Sequence, residues 1–287
     1  MIKKITGFLT IVGVLFTLIV SCDKIEGPYS ETIKIDTTQH NDSAIKRVLL
    51  EDYTGHTCVN CPDAAVIARD LKNLYGEKVI VMAVHAGWFS NPTPAGDFTD
   101  DFRTPEGTEW DTYFGISAVG NPNGMINRKG FTSAEHILSP SAWAGAIASA
   151  LNDPLLLDIV INNTYTTSSR SLATDISIKF MEEVDRNLKL VVVLTEDGII
   201  APQKNNNAET GPVPIIFDYV HNHMLRAVIN GTWGNEISTS GNPISGTVEK
   251  SLTYTLDDKL IPENCTVVAF IYDVDTKEVL QVNQKEL

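Results

Sequence analysis

The residues with the clearest capacity for chemistry are two thiols spaced by two residues, Cys58-Val59-Asn60-Cys61, followed at once by Pro62. A cysteine at a helix N-terminus meets unsatisfied amides and the positive end of the helix dipole, which stabilise a thiolate. On this spacing Cys58 is the nucleophile. Cys61, about one turn further in, is the resolving thiol that attacks a mixed disulfide. Pro62 suits the first helical turn, where its missing N–H costs nothing. Two other readings of the pair exist. Zinc needs a second pair of ligands, for which only Cys265 and scattered histidines are at hand, so no metal is assigned. A purely structural disulfide closes a loop so short that it restrains little chain.

The surrounding pattern supplies elements to hold the pair. Val48-Leu49-Leu50 leads into Glu51-Asp52-Tyr53 as a strand buried on both faces. Beyond the cysteines, Ala64, Ala65, Ile67, Ala68, Leu71 and Leu74 recur at helical spacing, and Gly76 ends the run. Val79 to Val84 reads as a second strand, and a strand–helix–strand unit favours parallel, right-handed packing. The Gly-, Pro- and Asp-rich stretch from His85 to Gly120 is too long for a bare loop, which predicts a helix or two within Asp97 to Phe114. Gly124 to Arg128 reads as a strand, and Ser141 to Leu151 as an Ala-rich helix stopped by Asp153-Pro154. From Leu155 onward the segments 155–165, 173–180, 188–196, 219–230, 247–256 and 266–273 are strand-like, which argues for a β-sandwich. The expected organisation is an α/β domain over residues 47–152 and an all-β domain over 153–287.

The N-terminus carries an address. Lys3 and Lys4 precede an uncharged apolar run from Ile5 to Val20, and Ile19-Val20-Ser21-Cys22 closes it. The run is shorter than the roughly 20 residues of a membrane span and reads as a signal peptide over 1–21. It resembles a bacterial lipobox, which implies cleavage before Cys22 and acylation of that residue. Two or three acyl chains there would anchor the protein to a membrane, with 22–46 as a polar tether. Within the tether, Asp42-Ser43-Ala44 resembles a short O-glycosylation motif, and Asp23-Lys24-Ile25-Glu26 resembles a charged surface-export signal. Loss of Lys3 and Lys4 with the leader takes the formal charge of the 287-residue chain from −14 to −16, which excludes nucleic acid as a partner. In an oxidising compartment Cys58 and Cys61 are a disulfide at rest, while Cys265, inside an apolar run, is a buried inert thiol. No cofactor pattern is present, and the oligomeric state is not legible.

The strand, the Cys-x-x-Cys, the helix and the next strand together resemble the thioredoxin fold. That resemblance implies a cis-proline opposite the cysteines, for which Pro122 in Asn121-Pro122-Asn123-Gly124-Met125 is the candidate. It also implies a buried proton-accepting carboxylate six residues before the first cysteine, where Asp52 stands and Glu51 competes. The tryptophan usual before the first cysteine is replaced by His56-Thr57, and Val59-Asn60 stands where thioredoxin has Gly-Pro. His56 has two readings, a cation favouring the thiolate or a cap on the turn. Together with the lipobox, Tyr53 to Pro62, Gly124 to Arg128, His221 to Ala227, Asn230 to Gly234 and Val279-Leu280-Gln281 resemble the Bacteroidota outer-membrane lipoprotein family named for its twenty-eight-kilodalton founder. The family implies a thioredoxin-like domain, an immunoglobulin-like domain and an outer-membrane address. His221 and His223 would share one strand face, as metal ligands do or as part of an interface with Arg226 and Trp233. Asp97, Asp100, Asp101, Glu106, Glu109 and Asp111 lack calcium-loop spacing and read as a solvated acidic face. The functional expectation is thiol–disulfide exchange on exported protein thiols, with Cys58, Cys61, Pro122 and Asp52 as its residues. The alternative is a non-enzymatic surface adhesin, binding or assembly lipoprotein that keeps the disulfide as a fold element.

Overall fold

A computed structural model describes residues 44–287, which fall into one compact unit. The leader, Cys22, most of the tether, the Asp42-Ser43 part of the glycosylation motif and the export signal lie outside the described residues.

The first half is built as its periodicity requires. β1 (Val48–Thr54) leads to α1 (Cys61–Tyr75) and then to β2 (Val79–His85), and β1 and β2 pair in parallel with Leu50 opposite Val81 and Thr54 opposite His85. Residues 48–53 are buried throughout, as the continuous apolar run demands. α2 (Pro105–Phe114) and the single-turn α3 (Ile116–Val119) follow, then β3 (Asn123–Ile126), antiparallel to β1 with Asp52 opposite Gly124, and α4 (Pro140–Ala150). The start of α2 is fixed by Thr104, whose side chain accepts from the Gly107 amide, and by Pro105 in the first turn. Trp143 and Ile147 of α4 pack with Leu50, Val81, Ala64 and Ala68 under α1.

The second half adds β4 (Leu157–Thr166), β5 (Ser171–Phe180), β6 (Leu188–Glu196), the two-residue strands β7 (Ile199–Ile200), β8 (Gln203–Lys204), β9 (Ile215–Ile216) and β10 (Val220–His221), then β11 (Met224–Val228), β12 (Asn235–Ser238), β13 (Thr247–Thr255), β14 (Cys265–Asp273) and β15 (Val279–Glu286). β13, β5 and β4 form a three-stranded antiparallel sheet. Leu157, Ile159 and Ile161 of β4, with Ile176 and Ile178 of β5, pack on Leu190, Val192 and Leu194 of β6 and on Val267, Ala269 and Ile271 of β14. Two β layers therefore face each other here, as alternation along β4 and β5 predicts.

The second of those layers is not a sheet of its own. It continues in the order β15-β14-β6-β11-β2-β1-β3, with β12 on the same edge of β6 as β11, so one eight-stranded sheet runs through both halves of the chain. The junction is the parallel pairing of β11 with β2 at Met224 and Ala83, where the Ala83 amide donates to the His223 carbonyl at 2.8 Å. One core joins Leu49, Tyr53, Ile80, Met82 and Trp110 to Val191, Val193, Leu225, Val268 and Phe270. The expected 152–154 boundary falls just after α4. The expected strand over 219–230 is in fact two strands, β10 and β11, because His223 takes φ +56° and its ring nitrogen Nδ1 pairs with Asp197 at 2.9 Å. His221 and His223 therefore do not share a strand face.

A buried ion pair organises this core. Arg128 gives Glu51 a two-pronged contact, Nε to Oε2 and Nη2 to Oε1 at 2.8 Å each, with both side chains fully excluded from solvent. The rings of Trp110, Phe114 and Phe270 lie 4.9 to 5.0 Å from the guanidinium carbon. Arg128 reaches inward because Asn127 and Arg128 both adopt left-handed backbone, φ +50° and +54°. Asn127 is held there by three bonds: its Oδ1 accepts from the Leu49 amide, its amide donates to the Leu49 carbonyl, and its carbonyl accepts from the Val279 amide. Nearby, the Gln281 amide group closes on the chain entering β1, accepting from the Arg47 amide at 2.9 Å and donating to the Ile45 carbonyl at 2.8 Å.

Candidate active site

The cysteine loop leaves β1 through Gly55. A Cβ at that position would stand 2.4 Å from the carbonyl carbon of Phe89, so only glycine permits the approach. The Thr57 amide and hydroxyl then both donate to the Phe89 carbonyl, at 3.0 and 2.8 Å, and the Cys58 amide closes a turn on the Gly55 carbonyl at 3.0 Å. Cys58 and Cys61 form a disulfide with a Cα separation of 5.4 Å. The helix begins at Cys61, not at Cys58: Asn60 is the capping position and Pro62 lies in the first turn. Sequence periodicity could not fix that end. The Asn60 side chain does not cap α1, because its Oδ1 accepts from Asn206 Nδ2 at 2.8 Å.

That last contact belongs to a strap spanning residues 203–210, which the sequence did not reveal. Gln203 Nε2 donates to the Cys58 carbonyl at 2.9 Å and to the Gly55 carbonyl at 3.3 Å. The Lys204 amide donates to the His56 carbonyl and the Asn206 amide to the Val59 carbonyl, at 2.9 and 3.2 Å. Asn207 Nδ2 and the Thr210 hydroxyl both donate to Asp63, in the first turn of α1. The strap thus extends the cysteine loop with strand-like contacts and closes over it. Cys58 and Cys61 are each only 2 % exposed.

Asp52, on β1, is fully buried, and its Oδ1 has no hydrogen-bond partner among the described residues. Burial raises its pKa to about 7. Glu51, its competitor in the sequence, is committed to Arg128. The Asn121–Pro122 peptide is cis, one residue before Asn123, which pairs with Tyr53 near the end of β1. Behind the loop lies a buried aromatic and imidazole cluster. His56 stacks on Phe98 at 5.6 Å between ring centres, His85 and His221 each approach Phe102 at 5.4 Å, and His85 lies 5.5 Å from His221. Burial lowers the pKa of all three, His221 to about 4 and His85 well below its usual range. His56 is therefore a neutral, packed side chain, not a cation beside the thiol. Among the described residues no cluster of histidine, cysteine, aspartate or glutamate has metal-binding geometry.

A cavity of about 330 Å³ opens beside the disulfide, lined by Asp52, Cys61, His85, Gln203, Tyr219 and His221 among others. Cys265 lies apart from it, a buried free thiol that donates to the Ile261 carbonyl at 3.3 Å and is raised to about 12 by burial.

Fold and site together define a mixed α/β protein with a sheet-rich C-terminal half and a Cys-x-x-Cys disulfide at the turn into a helix. The sequence profile of the family described as outer membrane protein Omp28 matches residues 108–287, and the chain belongs to that family; its place is the outer membrane. Among solved structures, HBP35 of Porphyromonas gingivalis aligns with a TM-score of 0.62 at 17% identity, covering 85% of this chain and 76% of that one. A domain of the outer membrane lipoprotein Omp28 from Porphyromonas gingivalis aligns at 21% identity with a TM-score of 0.32, covering 47% of this chain and 90% of that one. No curated protein matches the chain. The likeness to HBP35 is one of fold.

Proposed function

We propose that this outer-membrane protein carries out thiol–disulfide exchange through Cys58 and Cys61, on a thioredoxin-like frame held to the membrane by acylated Cys22. The observation that carries the reading is a disulfide at the strand-to-helix turn with a partnerless buried carboxyl, Asp52, on the adjoining strand and cavity wall. A carboxyl with a pKa of about 7 can take a proton from an attacking thiol and return it to a leaving one at neutral pH. The expected substrates are thiols of the envelope, including those of exported proteins. The facing β layers of the second half, which we read as an immunoglobulin-like module, serve as spacer or partner-binding surface.

Equilibration of the protein with glutathione buffers of graded ratio, followed by quenching and mass analysis, tests this. An exchanger equilibrates reversibly with a potential between about −120 and −270 mV, the span of known dithiol catalysts. A pair that stays oxidised below about −300 mV and forms no mixed disulfide is a structural crosslink, and the chain is then a binding or assembly lipoprotein. Cys58→Ser and Cys61→Ser each abolish turnover under the exchange reading.

A further inference from the structure

We propose that the thiol this site serves is small, of about the size of cysteine or a cysteinyl dipeptide, and that it enters through the cavity and meets the disulfide at Cys61. The inference rests on the exchange reading above, narrows its substrates from exported-protein thiols to small ones, and names the side of entry.

The two sulfurs have unequal surroundings. Cys58 is enclosed: its carbonyl is held by Gln203, and its neighbours Thr57 and Val59 are tied to Phe89 and Asn206. Cys61 lines the cavity and Cys58 does not. Because each cysteine is only 2 % exposed, a loop of a folded protein has no surface on which to bring its own sulfur to either. A cavity of about 330 Å³ sits at the lower end of the range for small-molecule sites. Its lining combines apolar residues such as Pro62, Ala65 and Val66 with Arg69, the Tyr219 phenol, Asp52 and the imidazoles of His85 and His221, whose pKa burial lowers. Asp52 supplies the second observation. A fully buried carboxyl oxygen lacking a protein partner is a group a ligand is expected to satisfy.

The exchange conserves atoms and electrons. A first thiol, RSH, gives its proton to the Asp52 carboxylate, and its sulfur attacks Cys61 Sγ. The Cys58–Cys61 bond breaks, its electron pair leaves on Cys58 Sγ, and the proton ends there. A second RSH attacks the substrate sulfur of the Cys61 mixed disulfide, releasing RSSR and the Cys61 thiol. Two thiols are oxidised to one disulfide while the protein disulfide becomes a dithiol; the reverse sequence reduces a small disulfide. These roles invert the order expected from sequence, in which Cys58 attacks.

Pulse alkylation of the reduced full chain tests the assignment. Parallel pulses of iodoacetamide and of a maleimide on a 5-kDa polyethylene glycol are followed by peptide mass mapping. The expected result is at least tenfold faster iodoacetamide labelling at Cys61 than at Cys58, with the polymer reagent labelling neither over the same interval. Faster labelling at Cys58, no labelling of either by iodoacetamide, or equal labelling by the two reagents overturns the proposal. Ala65→Phe, which places a ring in the cavity, is expected to slow mixed-disulfide formation between Cys61 and cystine at least tenfold in a Cys58→Ser background. An unchanged rate overturns it too. The labelling order is read without turnover, so it separates this proposal from the exchange reading: absence of any exchange with either glutathione or cystine removes both, whereas exchange with Cys58 labelled first removes only this one.

Discussion

At the scale of single residues, burial decides what the ionisable groups do. Asp52 has its pKa raised from 3.8 to about 7, so the folded protein holds its proton more tightly than the unfolded chain does. Its contribution to stability is intact below about pH 4 and is lost as pH rises to about 7, worth up to roughly 4 kcal/mol for a shift of this size. Asp52→Asn should therefore leave stability at pH 4 nearly unchanged and raise it at pH 8, read as urea midpoints at the two values. His221, lowered from 6.5 to about 4, acts in the opposite sense: the unfolded chain takes up the proton first, so its neutral form loses stability as pH falls through that window. The Glu51–Arg128 pair makes a separate prediction. Arg128→Met leaves a carboxylate buried without its partner and should cost about 3 to 5 kcal/mol, whereas Glu51→Leu combined with Arg128→Met should recover much of that loss. Guanidinium denaturation of the three variants measures the coupling.

At the scale of elements, the strap over the cysteine loop is the part to perturb. Asp63→Ala removes the acceptor shared by Asn207 and Thr210 but touches neither sulfur. Amide hydrogen exchange at residues 204–207 should accelerate while β1 and β2 remain protected. Gly55→Ala should destabilise by about 1 to 3 kcal/mol, because a methyl group cannot fit against the Phe89 backbone; thermal unfolding reads it directly. The strap also shows where sequence reading stops. β1, α1, β2 and β3 were legible because apolar periodicity and buried runs are local signals, and the edges of β6 match the apolar run over 188–196. The stretch from Gln203 to Thr210 has no such period. Its place is set by side-chain amides reaching a loop about 145 positions earlier, and polar asparagines spell a surface loop to any local rule. The helix starts with Cys61 in its first turn, three residues later than a nucleophilic Cys58 at the helix N-terminus requires, while Pro62 stands in the first turn as its residue type predicts. Arg128 follows an ordinary short apolar strand, and nothing local announces that its charged side chain will be wholly buried.

At the scale of the molecule, the main lesson is that a change in sequence grammar need not divide a sheet. The segments before and after residue 152 read differently, α/β and then all-β, yet β2 pairs with β11 and one apolar core draws on both. A fragment ending at Asn152 would uncover Met82 and Val84 and leave β2 an unpaired edge, which invites aggregation. It should show poor amide dispersion in a heteronuclear NMR spectrum and bind a hydrophobic dye, while residues 44–287 give a dispersed spectrum and bind none.

The clamp of Gln281 on the chain entering β1 has a mechanical meaning. Any tension transmitted from upstream residues arrives first at Ile45 to Arg47, where a side chain of the last strand grips the backbone. It then passes along the axis of β1, a strand bonded on both sides within the sheet. Force so directed shears several ladder hydrogen bonds together instead of peeling them one by one. The molecule is thus gripped by an interior strand near its last, and a tug on the leash is borne by the sheet rather than by the loop that carries the sulfurs.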